Sequence, residues 1–154
     1  MATEKWIASV AYTDAIATAN LSAIASGNAV GNTGIVVANA TNLDMFGIVS
    51  VNLASLACVA PNYLGVYLYP LNKDGTTYGD GRFNAGSAAG PPPANYQVGT
   101  IGLVAATQAQ EGSSGIIVLP PTNFIWVLYN QAGIAFATGS VNTFQYKTFN
   151  RSVA

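Results

Sequence analysis

Residues 63–83 read YLGVYLYPLNKDGTTYGDGRF, and this stretch decides the fold class. Leu64, Val66 and Leu68 fall on one face at period two, and Tyr67 and Tyr69 fall on the other, so the segment opens as a β-strand over Tyr63–Leu71. It then passes Pro70 into a polar, glycine-punctuated loop. The aliphatic face points to a core. The aromatic face points outward, towards something that covers it.

Moving towards the N-terminus, Met45–Leu53 repeats the alternation, with Val49, Val51 and Leu53 facing in and Ser50 and Asn52 facing out. Ala54–Asn62 reads as a connection ending in Pro61-Asn62. Gly34–Ala40 is expected to be a strand because Ile35, Val36 and Val37 are β-branched, with a turn at Thr41-Asn42. Thr13–Asn32 is ambiguous: Asp14 could cap a short helix, but the apolar stripe is poor and a short strand plus loop is preferred. Residues 5–12, KWIASVAY, read as a first strand.

Towards the C-terminus, 72–95 is irregular and carries Pro91-Pro92-Pro93, which cannot donate to a ladder. A long loop in a compact domain is usually functional or packed on a partner, and Tyr78, Phe83 and Tyr96 argue against a freely waving one. Tyr96–Ala105 reads as a strand, Thr107–Ser114 as a polar segment and Gly115–Leu119 as a short strand ended by Pro120-Pro121. Phe124–Tyr129, FIWVLY, is the strongest strand, with both faces covered. A meander is expected to follow: Asn130–Gly133 turning into a strand at Ile134–Thr138, a Gly139-Ser140 turn, and a return strand over Val141–Asn150. About eight to ten short strands, with turn signals roughly every ten residues, predict an all-β sandwich or barrel, and the long connections between strand runs favour a jelly-roll-like antiparallel β-sandwich in one domain.

Composition narrows the function. Charged residues make up 7% of the 154, against about 25% in an average soluble domain. So little charge gives weak protection against association and suits a surface covered by neighbours. The five basic residues are scattered, so no stripe for nucleic-acid phosphates or an anionic membrane is written. No run of about 18 apolar residues is uninterrupted, and the N-terminus lacks the apolar core of a signal peptide. The chain has no histidine and a single cysteine, Cys58, in the apolar setting LACVAP. A histidine-based triad and a typical zinc site are therefore excluded, and Cys58 reads as a small buried hydrophobe. No nucleotide-binding glycine motif is present, and no cofactor is implied.

Asp74 and Asp80 are the carboxylates closest in sequence, in NKDGTTYGDG. Beside glycine they read foremost as turn formers. The alternatives are a calcium loop using Asn72, Asp74, Thr76 and Asp80, or a glycosidase pair. Tyr67, Tyr69, Tyr78, Tyr96 and Trp126 read as core packing, as protein-interface anchors or as a sugar-stacking platform. Trp6 and Arg82 join those five as candidate interface residues.

MATEKWIA at the start, GVYLYPLNKDGTTYGDGRF with AGPPP in the middle, and VLYNQAGIAFATG with FQYKTFNRSV at the end resemble a family of small virion proteins of tailed bacteriophages and prophages. The resemblance spans most of the chain apart from Thr13–Asn32. It implies a capsid cement, or decoration, protein with a jelly-roll fold. Such a protein assembles in the bacterial cytoplasm, sits on the outside of the shell, contacts the major capsid protein and associates with itself as a dimer or trimer. The other reading is a carbohydrate- or receptor-binding sandwich on the tail or baseplate.

Overall fold

The computed structural model describes residues 4–6, 11–31, 35–60, 62–83, 87–139 and 141–153, with backbone only at 4–6, 152 and 153. Its strands in chain order are β1 (Glu4–Trp6), β2 (Thr13–Ile16), β3 (Asn28–Gly31), β4 (Phe46–Ala57), β5 (Tyr63–Pro70), β6 (Ser87–Ala89), β7 (Gln97–Gly102), β8 (Thr107–Ser113), β9 (Ile117–Val118), β10 (Phe124–Gln131), β11 (Thr143–Phe149) and β12 (Arg151–Val153). One sheet runs β6-β3-β10-β5-β7; the facing sheet runs β2-β11-β4-β8, with β9 also pairing β4. All pairings are antiparallel, and β1 pairs with β12 as a separate two-stranded ribbon.

Setting aside the short β6 and β9 and the terminal ribbon leaves eight strands in chain order: β2, β3, β4, β5, β7, β8, β10 and β11. The first, eighth, third and sixth form one sheet, and the second, seventh, fourth and fifth form the other. This is the jelly-roll order, as expected from the long connections between strand runs.

β5 and β10 are neighbours over their full length, from Tyr63↔Gln131 to Phe124↔Pro70. Both separate their faces at period two. Leu64, Val66, Leu68, Phe124, Trp126 and Leu128 enter the core between the sheets, where Val49, Val51, Leu53 and Phe144 meet them from β4 and β11. Fully burying side chains of this size contributes about 1.5–3 kcal/mol each. Tyr67, Tyr69, Ile125, Val127 and Tyr129 point the other way and form a second apolar layer, with Tyr78 and Phe83 from the 72–95 segment. The chain therefore covers its own aromatic face.

Several segments differ from the sequence reading. The described part of Gly34–Ala40, residues 35–40, is not a strand: within it only Val37 makes a bridge, exchanging backbone bonds of 2.9 and 3.2 Å with Phe124. A helical turn at Asn39–Asn42 follows. The buried Asn39 amide explains the break, donating to the carbonyls of Asp44 and Pro120 and accepting from the Asp44 N–H. A short amide side chain offers the backbone an alternative to the ladder. Gly34 itself lies outside the described residues.

β4 continues to Ala57, through part of the expected connection, because Thr107–Ser113 is its partner strand. Pro61 of that connection lies outside the described residues. β7 is shorter than the Tyr96–Ala105 strand expected, and Ala94–Tyr96 forms a helical turn ahead of it. Thr13–Asn32 contains two short strands around a helical turn at Thr18–Leu21.

The expected strand at Ile134–Thr138 is irregular. Asn130 accepts from the Ala132 N–H and donates to the carbonyls of Ile24 and Ile134, while Asn142 donates to Ala137. These two buried amides turn the chain across to the other sheet, so the expected meander is a crossover. Ser140 of the Gly139-Ser140 turn lies outside the described residues, as does 7–10 of the first expected strand. No helix among the described residues is long and apolar enough to cross a membrane.

Candidate interaction surface

Tyr67, Tyr69, Tyr78 and Trp126 are all buried within the chain, so of the three readings open to them they take core packing, which corrects their reading as interface anchors in the free chain. They also do not share a surface. Trp126 sits between the sheets against Phe124 and Tyr146, whereas the tyrosines lie in the outer layer. A sugar-stacking platform of Tyr67, Tyr69 and Trp126 is therefore not formed. Tyr69 is the centre of the outer layer. Its ring lies 5.3 Å edge-on from Phe83 and 4.5 Å from the half-buried Tyr96. Burial pushes its hydroxyl pKa up to about 12. Burial likewise raises Tyr67 and Tyr78.

The loop that covers this layer is held by its own polar groups. Arg82 is exposed. Its Nε donates to Asp80 Oδ2 at 2.8 Å and its Nη2 to the Pro91 carbonyl at 2.8 Å, which ties the middle of the loop to the proline run. The guanidinium also stands 5.4 Å from the centre of the Phe83 ring. Asp74 Oδ1 accepts from the Thr76 and Thr77 N–H groups at 2.9 Å each, and its Oδ2 accepts from the Thr77 hydroxyl. Those bonds, the Thr77 hydroxyl first, hold the Asp74 carboxyl down to about 2. Asn72 closes the turn by donating to Thr77 Oγ1 and the Gly79 carbonyl. Each oxygen of Asp74 and Asp80 thus accepts from the loop itself, which is what turn formers do. Among the described residues no three His, Cys, Asp or Glu side chains come together. Cys58 is buried, and burial raises its thiol pKa. Trp6 lies in β1 opposite Arg151, and its side chain is outside the described residues.

Three apolar side chains that sequence reading did not single out lie exposed near one another. Val118 is 74% exposed, Leu43 59% and Met45 52%. The β4–β9 pairing, which sets Phe46 opposite Val118, brings them together, and the Leu119 N–H donates to the Met45 carbonyl. With Phe46, Leu119 and Pro121 they line a hollow of about 150 Å3. Leu43 ends the Asn39–Asn42 helical turn at φ 53°, ψ 35°, the left-handed region. Glycine or asparagine usually takes that position, because a Cβ there costs about 1–2 kcal/mol. The strain therefore falls on a leucine that this chain's own packing covers only in part.

The rim of the hollow is fixed. Asp44, the one charged residue lining it among the described residues, accepts from Asn150 Nδ2 at 3.0 Å and from the Thr148 hydroxyl, and the Met45 N–H donates to Asn150 Oδ1 at 2.8 Å. These bonds tie the segment before β4 to the end of β11.

Searches of family models, curated proteins and solved structures found no match to this chain.

Proposed function

We propose that this chain is a capsid cement protein: a jelly-roll unit that docks on the outer surface of a tailed-phage shell and clamps neighbouring copies of the major capsid protein, associating with itself as a dimer or trimer. The observation that carries the reading is the Leu43–Met45–Val118 cluster. It is an exposed apolar rim around a hollow, on a chain with 7% charged residues, and one of its members is held in a strained backbone conformation. Strain at a solvent-exposed apolar residue suits a surface that is completed by a partner. The resemblance of the chain's beginning, middle and end to small phage virion proteins supports the same reading. So does the expectation that a clamp needs area and shape fit rather than reactive groups.

The test is to mix the purified chain with phage shells that lack it, pellet them, and heat the pelleted shells. Retention on the shells and a higher disruption temperature are expected. Two substitutions make the test specific. Leu43→Gly removes an apolar side chain and relieves the left-handed strain, so it is expected to keep or raise the melting temperature of the free protein while weakening retention. Val118→Asp is expected to abolish retention without unfolding the chain, since this side chain stands in solvent. A folded wild-type chain that stays in the supernatant would falsify the proposal. Undiminished retention of both variants would remove the Leu43–Val118 surface from it.

A further inference from the structure

We draw no further inference here: the strongest candidate, the open apolar cleft of about 430 Å3 where the ends of β5 and β9 and the start of β7 meet, lined by Leu68, Pro70, Tyr96, Val98 and Leu119, carries nothing because nothing in the structure shows what covers it.

Discussion

At the scale of single residues, Tyr69 and Asp74 make opposite demands on pH. The Tyr69 hydroxyl is fully buried and makes no hydrogen bond of full geometry; its polar neighbours are Arg82 and Asp80, close enough for weak hydrogen bonding and for their charges to act on it. An unsatisfied buried hydroxyl costs about 1–3 kcal/mol. Tyr69→Phe is therefore expected to raise unfolding stability in urea by about 1 kcal/mol. The folded chain keeps this proton to about pH 12, whereas an unfolded tyrosine releases it near pH 10. Folding thus retains a proton in that window, so stability is complete below about pH 10 and falls as pH rises towards 12. In the phenylalanine variant this site's share of the alkaline loss should vanish; an unchanged curve from pH 10 to 12 would show that burial does not control the group. Asp74 works at the other end of the scale. Its folded pKa of about 2 lies below the roughly 3.9 of an unfolded aspartate. Its contribution is present above about pH 4 and is lost as pH falls through 2. Asp74→Ala should flatten the acid limb of a melting-temperature profile while leaving the alkaline limb alone.

At the scale of elements, the outer aromatic layer depends on one close approach. Gly79 has φ +55°, and a Cβ built there would stand 2.2 Å from the Tyr69 ring. Gly79→Ala is expected to cost about 2 kcal/mol or more, from strain and displacement of that ring together. Hydrogen exchange should show the loss concentrated in 72–95 and the outer face of β5; a uniform loss over both sheets would mean that the layer is not a separate packing unit. The elements also show why some of the fold was legible and some was not. β5 and β10 were readable because each is sandwiched between two apolar layers, so both of their periodic faces carry a signal. β8, TQAQEGS, was not: it is an edge strand with mostly exposed side chains, and its pairing with β4 leaves no apolar alternation. The cover over Tyr67 and Tyr69 was half legible. Period two shows that an aromatic face exists, but the strand does not say whether a neighbour or the chain's own loop covers it. Tyr78 and Phe83, bulky residues in a polar loop, were the available clue. The Leu43–Val118 surface was invisible because its members come from two stretches far apart in sequence that meet only through the β4–β9 register.

At the scale of the whole molecule, the two central strands arrive late. β10 lies between β3 and β5, and β11 lies between β2 and β4, so each sheet is joined through a strand from the last part of the chain. The Phe144↔Ile16 and Leu128↔Val30 pairings link residues about a hundred or more positions apart, the kind of distant pairing that slows folding. During synthesis a ribosome adds about 5–20 residues per second, and for most of that time neither sheet has its middle. Until β10 and β11 emerge, only the β3–β6, β5–β7, β4–β8 and β4–β9 pairs can form, so neither sheet can join its two sides, and the sandwich would close as one unit once nearly all of the chain has emerged. A chain stopped before residue 143 should be degraded by a protease dose that spares the intact protein. A protease-resistant fragment of that length would mean the sandwich can be assembled by halves.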